Sequence, residues 1–142
     1  MIARRFEELV VWQLANDLKR EVYAFTASER VSRDFKYRDQ IRDAAASATR
    51  NTAEGFGRFR PKEFKRFLEF AAASLNEVKD ELHDGRDRGY LTDADHLRLI
   101  RLTLRALKAN RRLQAYLATC PSASPLPQEP GEPREPQEPR EP

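Results

Sequence analysis

The chain has 142 residues, the length of one domain, with 35% charged and 39% hydrophobic residues and a formal net charge of +3. No apolar run approaches the roughly 20 residues that a membrane-spanning helix needs, and Met1–Phe6 has no hydrophobic segment behind its arginines, so neither a membrane anchor nor a secretory leader is expected. The single cysteine, Cys120, excludes an internal disulfide or a multi-cysteine metal site, and a reducing, cytoplasmic setting is expected.

Phe6, Leu9, Val10, Leu14, Leu18, Val22 and Phe25 recur at steps of three or four and predict a first helix over about Phe6–Phe25. Val11, Trp12, Ala15 and Tyr23 lie partly outside that face, either widening the core edge or meeting a second subunit. Thr26–Arg33 reads as a polar connection, with Ser32 or Asp34 as the next N-cap.

A second helix is predicted over about Phe35–Glu54. Its narrow face of Ile41, Ala44, Ala45, Ala48 and Thr52 is mostly small, so a neighbouring helix can approach closely. Beside it, Gln40, Ser47, Asn51 and Glu54 fall on one line and predict a structural polar network between helices, in which Ser74 and Glu77 are candidate partners. Gly55 and Gly57 flank Phe56 where a C-cap is expected.

Arg58, Arg60, Lys62, Lys65 and Arg66 crowd the next turn and the start of a third helix, Pro61 to about Asp84, with Pro61 suited to the first helical position. Cations there oppose the helix dipole, which points to an anionic partner unless Glu63 and Glu69 neutralise them. The core stripe of this helix is Phe64, Phe67, Leu68, Ala71, Leu75, Val78 and Leu82. Gly85 and Gly89 are expected to end the segment, and Thr92 and Asp95 have near-capping-box spacing for the next.

The fourth helix is predicted over about Asp93–Thr119. Arg98, Arg101, Arg105, Lys108 and Arg112 fall within roughly 80° of one face, with no acidic residue interleaved there. An exposed cationic strip of this kind suits phosphates; a merely solvated face is the alternative. Leu99, Ile100, Leu102, Leu104, Ala106, Leu107, Leu113 and Leu117 form an apolar arc wider than one core requires, implying burial on two sides.

Residues 121–142 form a separate unit with eight of the nine prolines and a Glu-Pro-X period, expected to be disordered or extended. Its five glutamates and two arginines give it a charge of −3, so the chain's +3 leaves residues 1–120, the expected bundle, at +6. Arginine outnumbers lysine 20 to 6, which suits bidentate phosphate contacts but also follows from a GC-rich genome. His83 and His96 read as isolated surface residues. No phosphate-binding glycine loop, nucleophile elbow or metal-ligand spacing is present, so no catalytic residue, cofactor or metal is expected and the chain reads as a non-enzyme.

The run QIRDAAASATRNTAEGFGR resembles the signature of the four-helix-bundle family of 23S rRNA intervening-sequence proteins, to which the accessory protein of diversity-generating retroelements is related. The resemblance continues in FEELVVWQLANDLKREVYAFT, FKRFLEFAAASLNEVKDEL and GYLT and covers roughly residues 6–118. It departs where the family has larger aliphatics near Ala48 and Thr52 and often Tyr-Gly-Leu at Lys36-Tyr37-Arg38, so packing and the first loop are expected to differ locally.

The resemblance implies an all-α, antiparallel up-down four-helix bundle, a homopentamer and nucleic-acid binding. The leading expectation is therefore an oligomer that binds RNA or DNA through basic helix faces. The alternative is a protein-interaction scaffold for a partner such as a reverse transcriptase.

Overall fold

The computed structural model describes residues 3–121. Its first apolar residues are divided between two pieces. Phe6–Glu8 form a 3-10 turn, Leu9 is extended, and α1 begins only at Val10 and runs to Thr26. The extended residue separates Phe6 from α1, and within α1 the buried face is rotated from the one expected. Leu9, Val11, Ala15, Leu18, Val22 and Thr26 are buried, whereas Val10 is 37% exposed and Leu14 and Phe25 sit at the core edge. Trp12 is half-buried against the Phe6 ring, 5.3 Å between centroids.

The expected connection after α1 holds a further helical turn, α2 (Glu29–Ser32), capped by the Ser28 hydroxyl and fixed by the buried Val31. Asp34 then caps α3 (Phe35–Gly57), its carboxylate accepting from the Tyr37 N–H. The helix passes through Gly55, where an end was expected, and α4 (Pro61–Asp87) likewise passes through Gly85. Thr92 caps α5 (Asp93–Thr119) through the Asp95 N–H. The long helices alternate in direction, α3 packing on α1 and α4, and α5 on the same two. The result is the expected all-α up-down bundle. The Glu-Pro segment expected to be disordered lies, from residue 122, outside the described residues.

Both glycines remain helical because of what lies beside them. A Cβ on Gly55 would stand 2.6 Å from Phe67 Cβ, an atom that α4 cannot move without moving its backbone. A Cβ on Gly85 would stand 2.1 Å from the Tyr37 hydroxyl. With Ala44, Ala45, Ala48 and Thr52 buried between them, these positions make a seam where α3 and α4 lie closer than larger side chains would permit.

Polar groups set the register along the bundle. The Tyr37 hydroxyl donates to the Glu81 carbonyl at 2.8 Å. Asn110, fully buried, donates to the Leu68 carbonyl at 3.0 Å and accepts from Gln114. At the far end Asp34 accepts from Tyr90 at 2.6 Å and from Arg88 at 3.1 Å, tying the α4–α5 turn to the start of α3. The Tyr90 hydroxyl, with the Tyr37 amide and Arg88, holds the Asp34 carboxyl below the usual carboxylate range.

Glu81 is the exception to polar satisfaction among the described residues. One of its carboxylate oxygens is buried without a hydrogen-bond partner. Burial, reinforced by Glu77, Asp80, Asp84 and Asp43, pushes its carboxyl up to about 7.

Gly85→Ala gains about 1 kcal/mol of helix propensity but overpacks the Tyr37 hydroxyl, for a net loss of about 1–2 kcal/mol in denaturant unfolding. In a Tyr37→Phe background the same substitution should cost less, and simple additivity would show that the hydroxyl is not what requires glycine. For Glu81, the folded state holds the proton more tightly than the unfolded chain. Its stabilisation is therefore full below about 4.5 and is lost as pH rises through about 7. Glu81→Gln should raise stability at pH 8 by about 1–2 kcal/mol, a value discounted for partial exposure, and change little at pH 4.5; equal effects at both would remove the carboxylate as the cause.

Candidate nucleic-acid interface

Helix α5 turns Leu99, Thr103, Ala106, Leu107, Asn110, Leu113 and Leu117 into the core, which leaves the opposite face outward. Arg101, Arg105, Lys108 and Arg112 are all exposed, and none has an ion pair among the described residues. Arg111 is exposed beside them and widens the cationic arc to roughly 140°. Its position outside the three-four repeat hid it from the spacing argument. Arg98, at the start of the strip, behaves differently. It pairs with Glu21 of α1 at 2.8 Å and with Asp95 at 3.5 Å, and the Glu21 hydrogen bond leads in raising its pKa. The face expected to lack carboxylates therefore has two at this end, one of them supplied by another helix.

Apolar side chains share the strip. Leu97 and Leu104 are 47% and 46% exposed. Ala94, Leu97, Arg98, Arg101, Leu102 and Arg105 line a shallow depression along this half of the helix.

The cluster at the α3–α4 turn divides by partner. Arg58 reaches Glu54 at 2.9 Å and lies over the Phe67 ring, 5.3 Å from its centroid. Lys65 pairs with Glu69 at 2.9 Å, and Arg66 lies over Phe70. Arg60 and Lys62 are exposed without an ion pair among the described residues. Glu69 thus neutralises part of the cluster as expected, while Glu54 does the work foreseen for Glu63. Phe56, Phe64 and Leu68 pack with Leu113 and Leu117 in one cluster. That packing puts the turn at the same end of the bundle as Arg111 and Arg112.

Of the four residues on the polar line of α3, two meet. Asn51 donates to the Ser47 carbonyl and hydroxyl at 2.9 and 3.0 Å, and Ser74 of α4 reaches the Ser47 hydroxyl at 2.8 Å. Glu54 turns instead to Arg58, and Gln40 and Glu77 are exposed outside the network.

The histidines are neither isolated nor both on the surface. His96 is buried, and its Nε2 lies 2.9 Å from His83 Nδ1 in a bond that needs at least one neutral ring. Burial, then Arg86 and His83, pushes His96 down. Thirteen residues and a turn separate the two, so no helical spacing announces the contact. No group of three or more metal-ligating side chains occurs among the described residues. None of the described helices is long and apolar enough to cross a membrane.

Comparison with curated proteins finds no match. Comparison with protein-family models matches residues 7–110, from the first turn to Asn110 of α5, to the family described as 23S rRNA-intervening sequence protein. The match spans most of the chain and every long helix. The protein belongs to the 23S rRNA-intervening sequence protein family.

Proposed function

We propose that this protein is a non-enzymatic, self-associating bundle that binds RNA or DNA through the outer face of α5, aided by the α3–α4 turn. The observation that carries this reading is the set Arg101, Arg105, Lys108, Arg111 and Arg112, exposed on one face with no carboxylate paired to them among the described residues. From Arg101 to Arg112 they span about 16 Å at 1.5 Å per residue, enough for several consecutive phosphates. Unpaired guanidinium groups keep their donor forks free for phosphate oxygens. The absence of sequence-reading geometry at a groove makes shape and charge the basis of recognition. Self-association as a homopentamer is part of the proposal and rests on the family resemblance; a cytoplasmic setting is part of it too and rests on the single cysteine.

A second reading draws on the exposed Leu97 and Leu104. Apolar side chains on a cationic strip suit a protein partner, such as a reverse transcriptase bound by a scaffold, better than they suit phosphates.

Binding of labelled structured RNA and single-stranded DNA, followed by anisotropy across a salt series, separates the two. The nucleic-acid reading expects the logarithm of affinity to fall with that of salt by roughly 0.7–0.9 per phosphate contacted. The triple variant Arg101→Glu, Arg105→Glu, Lys108→Glu should abolish binding while leaving the helical circular dichroism unchanged. Removing residues 122–142, with their charge of −3, should strengthen it. Absence of binding at low salt, with and without those residues, would favour the scaffold.

A further inference from the structure

Phe59 breaks two local rules at once. It follows the C-cap Arg58 of α3 and has a φ of 56°, the left-handed region in which glycine is favoured and a bulky side chain is strained. Its ring is also 58% exposed. Glycine was available nearby: Gly57 is helical, and a Cβ there would meet nothing within 4 Å. The sequence thus places glycine where the backbone does not require it and an aromatic ring where glycine would fit best.

Covering the core does not account for the ring. Phe59 touches Phe56 at a tilt of 54°, 6.2 Å between centroids, and Phe56 is already buried against Phe64. This contact orients the Phe59 ring and leaves most of it open to solvent. Arg58 and Arg60 are its chain neighbours and Lys62 follows, so the open aromatic surface stands inside the cationic turn. Arg111 and Arg112 lie at the same end of the bundle.

We infer that Phe59 is a stacking platform for an unpaired base, and that the α3–α4 turn therefore selects single-stranded nucleic acid, with Arg60 and Lys62 holding the adjoining phosphates. This rests on the nucleic-acid reading of the α5 face and adds a preference that charge alone does not supply. In a duplex each base is already stacked on its neighbours, so an isolated ring at a turn has no face to cover. In a single strand or loop the base faces are open, and a ring followed by two exposed cations matches the repeat of base and backbone.

The test uses the full chain with Phe59→Gly and Phe59→Trp, an unstructured single-stranded oligonucleotide, and a duplex of equal length. Phe59→Gly removes the strain, so it should melt no lower than the wild type. It should nevertheless lose about tenfold or more in affinity for the single strand while its duplex affinity stays within about twofold. Phe59→Trp should retain single-strand affinity. Its emission, after subtraction of the Trp12 signal of the wild type, should be quenched by the single strand and not by the duplex. Unchanged single-strand affinity in Phe59→Gly, or equal losses for both forms, would overturn the stacking role while leaving salt-dependent binding by α5 intact. A wild type that binds neither form at low salt would overturn both.

Discussion

The close approach of α3 and α4 is the constraint on which the other features depend. Gly55 meets Phe67 near one end of the seam and Gly85 meets Tyr37 near the other, with buried alanines between. Small residues remove apolar area from the core, so the seam's stability comes from backbone proximity and from bonds that proximity allows. Tyr37 can reach the Glu81 carbonyl, and Ser74 can reach Ser47, only at this separation. The same register delivers Arg88 and Tyr90 to Asp34, so the cap of α3 also clamps the α4–α5 turn. It also fixes the tight α3–α4 turn that presents Phe59.

The charge of +6 on residues 1–120 is unevenly distributed. Asp43, Glu77, Asp80, Glu81 and Asp84 lie together along α3 and α4, where their mutual repulsion helps to hold Glu81 protonated near neutral pH. The cations of α5 that have no ion pair among the described residues lie on a helix that does not pack against α3 as a neighbour in the bundle. A field divided in this way orients an approaching polyanion as well as attracting it. The chain leaves α5 at Cys120, at the end that carries the basic turn, and the residues that follow bring a charge of −3. Their effect on a polyanion should be repulsive and weakened by salt.

The helices were legible in the sequence because their faces are periodic and their caps local. Asp34, Thr92 and Pro61 stand where local rules place them, and the bounds of α5 are those expected. The face of α1 was only partly legible: Leu18 and Val22 are buried as expected, but the buried stripe runs on through Val11, Ala15 and Thr26 rather than Val10, Leu14 and Phe25. The glycines misled too: Gly55 and Gly85 satisfy distant neighbours, Phe67 and Tyr37, that no local rule contains. At the candidate site, spacing placed the α5 cations on one face. It did not reveal that Glu21 reaches Arg98 from another helix, that His83 meets His96, or that Phe59 takes a left-handed conformation. Each of these depends on tertiary placement or on backbone geometry.

The two readings of the outer face of α5 need not compete for the same residues. Its first half presents Leu97 and Leu104 together with Arg98, whose charge is already answered by Glu21 and Asp95, and with Arg101, which has no ion pair among the described residues. A surface of exposed leucine and compensated charge is inexpensive to desolvate against another protein. Beyond Leu104 the exposed side chains of the helix are Arg105, Lys108, Arg111 and Arg112 with small or uncharged residues, and the leucines that follow, Leu107, Leu113 and Leu117, are all buried. Uncompensated cations are costly to bury against an apolar partner but lose little beside phosphates, which remain hydrated and release counterions. On the proposed reading, protein contacts therefore belong to Leu97, Arg98 and Leu104, while Arg101 between them stays with the polyanion. The polyanion belongs to the half nearest Cys120, the end where Phe59, Arg60 and Lys62 also stand.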